Sequence, residues 1–409
     1  MGGNVTGINK KSGEQTRAEK IPLKKIGRRN FIKKYIDIFK EINKIFYKEH
    51  GIKIWLKEEN ISNGLQFNGS TSYIFDQSIP DEEIEKYKES AGDLDIIVPE
   101  GLKEQLWNTL DKLEGKEIIK NVWYMGSNKP TISSIGEQIN CVFKVKFDEY
   151  YINSQVDFEF LPTEKDGATP TEWAKFSHNS SFEDAKAGIK AVHHKYLIQA
   201  IIGGASIRDD VVIVTKASKP EKYKIAKLKG GDLPRFLKFN VKSGVRSAYE
   251  LQHLEDGSVW QIDGKDVYKE IPTKDSTYEN AVAEIYKLTF GRLEDNPQDI
   301  KYFNSFVGII KLMKKYLNKK QIENTHKRYV DKLWLTSTSR DGKPQGVQVL
   351  ERDDPEADYN VKISGYNYFC KELKLKPNTK QIEKYYKDFD KYGKNESIIR
   401  KAIKDSIDD

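Results

Sequence analysis

Gly92-Asp93-Leu94-Asp95-Ile96-Ile97-Val98 is the stretch whose reading decides the fold. Side chains alternate along a strand, so Asp93 and Asp95 share one face while Leu94 and Ile96 pack behind them. Two neighbouring acids repel each other unless a cation or a proton lies between them. An acidic face backed by an apolar one therefore predicts a strand that serves as a divalent-metal platform. All-oxygen ligands favour Mg²⁺, with Mn²⁺ as the alternative ion.

Two other segments extend this reading. Upstream, Leu65-Gln66-Phe67 leads into Asn68-Gly69-Ser70-Thr71. A glycine and a hydroxyl in a tight turn suit the close approach of phosphates. Downstream, Cys141–Phe147, Asp148-Glu149-Tyr150 and Val156-Asp157-Phe158-Glu159-Phe160 read as a strand, a turn and a second strand. If the Asp157 strand neighbours the Asp93 strand, a third carboxylate reaches the same ions. Glu159, on the same face as Asp157, is a reserve ligand. Each piece has an ordinary counterpart: a Gly-Ser turn, a strand end, the wet face of an edge strand, a glycosylation acceptor at Asn68-Gly69-Ser70. Their order and strand context carry the reading.

In that order the pieces resemble the DNA polymerase β superfamily of nucleotidyltransferases. The shared pattern is an apolar approach to Gly-Ser, Asp-x-Asp on the next strand, and a single acid on a later one. The resemblance implies an α+β fold whose polymerase β-like palm is a small mixed sheet with helices. It implies that Gly69, Ser70 and Thr71 hold a nucleoside triphosphate such as ATP, and that Asp93 and Asp95 bind two Mg²⁺ ions. Asp157 would bind the catalytic ion and help deprotonate the attacking hydroxyl. A lysine on the helix after the palm, Lys190 or Lys195, would reach the triphosphate, with solvated helix charges as the alternative; Lys195 is carried as the nucleotide contact. The chain departs from the pattern in one respect. More than twenty residues separate Ser70 from Asp93, and Pro80-Asp81-Glu82-Glu83 predicts an inserted helical turn there.

Composition agrees with a chain of more than one domain. The 409 residues are 37% hydrophobic, 32% charged and 11% aromatic, with a mean hydropathy of −0.70. That is polar but too aromatic for wholesale disorder. No window has the length of a membrane span, and the start lacks the apolar core of a signal peptide. Cys141 and Cys370 stand far apart and fit a reducing cytoplasm, the host's if the chain is phage-encoded. His193-His194 read as helix-surface residues. The net charge of +7, from 69 basic and 62 acidic residues, is modest. Its cluster of Lys20, Lys24, Lys25, Arg28, Arg29, Lys33 and Lys34 is a candidate contact for a polyanion such as nucleic acid, with a solvated, partly disordered leader as the alternative.

Four regions are expected: a flexible basic arm over 1–29, a catalytic domain over 30–206, a β-rich insertion over 207–275, and a helical domain over 276–409. In the first of the structured regions a helix starts at Asn30 and ends near His50-Gly51. Strands follow over Ile52–Leu56, at the approach to Gly69, and at Asp93. A short helix over Leu102–Leu113 and strands over 138–148 and 154–161 complete the domain, and a further helix runs through 171–203. In the insertion, Leu233–Phe239 with Lys242 and Arg246 interleaves basic and aromatic residues, either to stack bases or as a basic wet face. Near the end, Ile363-Ser364-Gly365 and Lys376-Pro377-Asn378-Thr379 are similar to an element of tRNA nucleotidyltransferases and bacterial poly(A) polymerases. That element has Ile-Ser-Gly at a helix start and Gly-Pro where Asn378-Thr379 stand. The Gly2-Gly3-Asn4 start and the layout also look like nucleotidyltransferases of bacteriophages. The expected reaction transfers a nucleotidyl group to an acceptor hydroxyl, an RNA 3′ end first. The alternatives are a protein, a small molecule or a second nucleotide as acceptor, or a non-catalytic protein that keeps the fold.

Overall fold

The computed structural model describes residues 6–55, 66–115, 119–124, 138–161 and 180–202, the strands between 211 and 272, and most of 282–380, apart from a few single positions. It divides into two compact units, Met1–Lys186 and Ala187–Asp409. The single helix expected over 171–203 is thus divided: a short helix over Phe182–Lys186 ends the first unit and another over Ala191–Ile201 belongs to the second, while residues 171–179 lie outside the described residues.

The first unit is a seven-stranded mixed sheet backed by one long helix. In chain order the strands are β1 (Thr6–Ile8), β2 (Gln15–Arg17), β3 (Phe67–Asn68), β4 (Asp93–Pro99), β5 (Ile119–Tyr124), β6 (Gln138–Phe147) and β7 (Tyr150–Leu161). Their order across the sheet is β2-β1-β5-β6-β7-β4-β3. β4 and β7 run parallel next to the β3 edge, and the other pairs are antiparallel. The helices of this unit are α1 (Leu23–Ile26), α2 (Arg28–His50), α3 (Gly69–Phe75), α4 (Asp81–Tyr87), α5 (Lys103–Leu110) and α6 (Phe182–Lys186).

The α2 helix forms because Phe31, Tyr35, Ile38, Phe39, Ile42 and Phe46 recur at three- and four-residue spacing, and all six are buried. It begins after Gly27, two residues before the expected Asn30, and stops at Gly51, whose φ of 71° makes the left-handed C-cap. Its apolar stripe lies on one face of the sheet: Phe39 packs on Phe67 (5.5 Å between centroids) and Phe158 (6.3 Å), and Tyr35 on Phe147 (6.2 Å). Leu94, Ile96, Val98, Val156 and Phe158 join that core. The alternate residues of β4 and β7, including Asp93, Asp95, Gln155, Asp157 and Glu159, therefore belong to the opposite face.

Three expectations need correction here. Of the arm expected over 1–29, the described residues from Thr6 onward are not free. β1 and β2 extend the sheet, Ile21 bridges to Ala91, and Ile21 and Leu23 enter the core. Residues 52–55 are a bend rather than a strand, because the Asn43 side chain takes their backbone groups. Its Oδ1 accepts from Ile54 (2.8 Å) and Trp55 (3.2 Å), and its amide donates to the Trp55 carbonyl (3.0 Å). Arg28 is buried and its guanidinium is engaged internally, so it is unavailable to a polyanion; Lys20, Lys24, Lys25, Arg29 and Lys33 are exposed. The insertion before Asp93 is present as expected, as α4 with Pro80 at its N-cap.

The second unit holds a six-stranded sheet, β8 (Val211–Val214), β9 (Ile225–Lys227), β10 (Arg235–Asn240), β11 (Gly244–Leu251), β12 (Gln261–Ile262) and β13 (Lys265–Pro272). Its order is β12-β13-β11-β10-β9, with β8 parallel to β13. This is the β-rich region read from the sequence. The side chains of Arg235–Phe239 and Arg246, and all of Lys242, lie outside the described residues. Helix α7 (Ala191–Ile201) precedes this sheet, and α8 (Phe306–Tyr316), α9 (Lys319–Trp334) and α10 (Pro355–Glu372) follow it, with a small β14–β15 hairpin (Ser337–Thr338 and Pro344–Gly346). Ile363-Ser364-Gly365 sits inside α10 and not at a helix start. Gly365 is there for packing: a Cβ on it would lie 2.4 Å from the His193 ring. Asn378 and the first five residues lie outside the described residues.

His193 and His194 are buried, contrary to the surface reading, because α7 is apolar on nearly every side. His193 Nδ1 pairs with the Tyr329 hydroxyl (2.6 Å) and its Nε2 with the Val361 carbonyl (2.7 Å); His194 Nε2 pairs with the Phe303 carbonyl (2.6 Å). Burial is the main cause that pulls both rings down to about 4. A histidine depressed in the fold gives stability that is complete above the unfolded pKa of about 6.5 and is lost as pH falls towards 4. Denaturant titrations at pH 5 should thus show a loss on the order of 2 kcal/mol per ring relative to pH 7. Equal midpoints at the two pH values would refute this account of the α7 core.

Candidate metal centre

The parallel pairing of β4 with β7 sets Asp95 directly beside Asp157 and Asp93 beside Gln155. Asp93, Asp95 and Asp157 each offer an oxygen, and these atoms lie within 4.8 Å of one another. Among the described residues this is the one group of acids, histidines or cysteines close enough to share a cation. Three ionised acids so close are costly in an apolar sheet, and Asp157 shows the strain. It is 6% exposed, and burial first, then the charge of Asp93, push its carboxyl up to about 7. Hydrogen bonds from Asn140 and Gln155 pull the other way. Gln155 Nε2 reaches both Asp157 oxygens, at 3.0 and 2.9 Å.

Among the described residues the donor set suits a hard divalent ion: carboxylate oxygens, no nitrogen or sulfur, and the buried Asn68 oxygen, which has no partner among them. The reserve ligand Glu159 is outside the cluster. Its two oxygens accept from Asn68 Nδ2 (2.6 Å) and Gln138 Nε2 (2.7 Å).

The turn at Asn68-Gly69-Ser70 is built against the acids. β3 pairs Asn68 with Asp95. Gly69 has φ +53°, and a Cβ there would lie 2.0 Å from Asp95 Oδ2. Glycine is thus required twice, by backbone conformation and by space. The Gly69 carbonyl accepts from Ser72 Oγ (2.8 Å) and Ser180 N (3.2 Å), which ties α3 to the returning chain. Ser70 is half-buried and hydrogen-bonded to Tyr73, whose hydroxyl burial and the nearby Asp93 charge hold up at about 12.

Thr71 is placed differently from the nucleotide contact expected of it. It is fully buried, and its hydroxyl spans the Asp93 carbonyl (3.5 Å) and the Asp95 N–H (3.1 Å). It locks the backbone of the two acids. Thr71→Val keeps the shape but leaves the Asp95 N–H without that acceptor. It should cost about 1–2 kcal/mol and weaken divalent-ion binding, with Thr71→Ser recovering most of both. Thermal melts with and without Mg²⁺ check this, and a neutral Thr71→Val would contradict it. Lys195 lies on α7 in the second unit, and Lys190 just precedes that helix. The structure does not bring either to the carboxylates as part of one unit.

The amides Asn68, Gln138, Asn140 and Gln155 are the site residues missed in the sequence. Their signal was register: each sits on the acid-bearing face, opposite or two residues from an acid. No protein-family model, curated protein or solved structure matches this chain. No helix among the described residues is long and apolar enough to cross a membrane.

Proposed function

We propose that the chain is a metal-dependent nucleotidyltransferase with a polymerase β-like palm. It would move a nucleoside monophosphate from a triphosphate to an acceptor hydroxyl, with release of pyrophosphate. The observation that carries the reading is the Asp95–Asp157 pairing, which gathers three acids from distant segments beside a glycine turn that tolerates no side chain.

Asp93, Asp95 and Asp157 would hold divalent cations, Mg²⁺ by preference. When bound, such ions stabilise charge on the attacking and leaving oxygens of an in-line displacement. The chain's own residues supply the rest. Gly69 and Ser70 border the acids where a triphosphate would lie. Gln155 and Asn140 orient Asp157, whose carboxylate would accept a proton from an attacking hydroxyl. Positioning and charge neutralisation would supply most of the rate. Exposed lysines of the first unit favour a nucleic-acid acceptor, RNA foremost.

The test is incubation of the full chain with α-labelled nucleoside triphosphates, Mg²⁺ and short RNA. The reading requires metal-dependent transfer of label that Asp93→Ala abolishes. It fails if no label reaches RNA, protein or a small molecule while Asp93→Ala binds the ion as well as the wild-type chain.

A further inference from the structure

Asn68 breaks the local rule for its position. It is the N-cap of α3, where an asparagine oxygen ordinarily accepts from the first turn of the helix. Here the side chain makes no capping bond. The residue is 0% exposed, and its Oδ1 has no hydrogen-bond partner among the described residues. A buried carbonyl left unpaired costs free energy, so its retention calls for a partner that completes it.

The amide's orientation is fixed from its other end. Asn68 Nδ2 donates to Glu159 Oε2 at 2.6 Å, and Gln138 holds the other Glu159 oxygen at 2.7 Å. Glu159 accepts only, so the nitrogen must face it and the oxygen must point elsewhere. β3 places Asn68 directly opposite Asp95 on the acid-bearing face of the sheet. A neutral oxygen there adds a ligand without adding a fourth negative charge to three crowded acids.

We infer that Asn68 supplies a fourth protein oxygen to the cation site of Asp93, Asp95 and Asp157, directly or through one bound water. This rests on the reading of the triad as a divalent-cation site. The Gln138–Glu159 pair then acts as a positioning device that holds the amide with its oxygen turned to the ion.

Mn²⁺ binding to the full chain, followed by the loss of the free-ion paramagnetic resonance signal, tests it. Asn68→Ala should weaken binding tenfold or more. Asn68→Asp combined with Glu159→Gln keeps an oxygen at position 68 and reverses the hydrogen bond that holds it, and should bind within about threefold of wild type or more tightly. Melts in EDTA verify that each variant folds, and Asn68→Ser, with an intermediate loss expected, replaces the alanine variant if that one does not. If Asn68→Ala binds like wild type, the inference is wrong and the triad stands. If the alanine variant and the double variant lose affinity equally, an oxygen at position 68 does not serve the ion, and the inference is again wrong. If the wild-type chain binds no Mn²⁺, the triad reading itself falls.

Discussion

Asp157→Asn should abolish the proposed nucleotidyl transfer and at the same time make the metal-free protein more stable at pH 8. The two effects share one cause. Asp157 is buried beside Asp93, and its carboxyl is raised from 3.8 to about 7 in the fold. An acid raised in this way is protonated in the folded state at pH values where the unfolded chain has already ionised. Below about pH 4 both states are protonated and the site adds no penalty. Between about 4 and 7 the metal-free protein loses stability as pH rises, and above 7 the full penalty is present. Asparagine has the same shape without the charge. Its gain should be on the order of 1–3 kcal/mol at pH 8 and near zero at pH 4. Saturating Mg²⁺ should reverse the ranking, because only the wild-type triad gains from the ion. Denaturant titrations at both pH values, with Mg²⁺ and with EDTA, measure all four terms. Asparagine less stable than aspartate in EDTA at pH 8 would show that the three acids are not in conflict.

The second large effect is expected at Arg28. Its guanidinium is 2% exposed. It donates to the carbonyls of Ile74 (2.7 Å), Asp76 and Ile79 and to Asp81 Oδ1 (2.9 Å). One side chain thus holds the whole connection from α3 to α4 against the start of α2. Arg28→Met strands the Ile74 and Ile79 carbonyls, leaves that of Asp76 with the Ile79 N–H alone (3.2 Å), and leaves Asp81 with only the exposed Arg29 as partner (2.8 Å). A loss of about 3–5 kcal/mol is expected. Arg28→Lys should recover only part, since an ammonium cannot match the planar fork. Because α3 carries the Gly69 turn, divalent-ion affinity should fall in the same order. A methionine variant within 1 kcal/mol of wild type would remove Arg28 from this role.

Much of the first unit was legible in the chain. The spacing of Phe31 to Phe46 announced α2, and the alternation around Asp93 and Asp157 announced β4 and β7 with their acids on one face. What those alternations did not contain was the pairing. Only the parallel β4–β7 register brings Asp157 beside Asp95. Local polarity misled where tertiary partners won. Asn43 captured the backbone of Ile54 and Trp55, which the apolar run had marked as a strand. Arg28 read as part of a solvated basic cluster, yet its partners lie some fifty residues away. His193 and His194 read as surface residues because two adjacent polar rings suggest water, whereas each has a buried partner from a later helix or turn. Thr71 and Asn68 were counted as parts of a turn. Thr71's hydrogen bonds instead fix the backbone of Asp93 and Asp95, and Asn68 is held by Glu159 on the acid-bearing face.

The central claim is met most directly by anomalous diffraction from crystals soaked in Mn²⁺. The account predicts an anomalous peak in coordination contact with oxygens of Asp93, Asp95 and Asp157 together, and its disappearance in Asp157→Asn. Crystals that diffract well, with no peak at those three carboxylates, would contradict it.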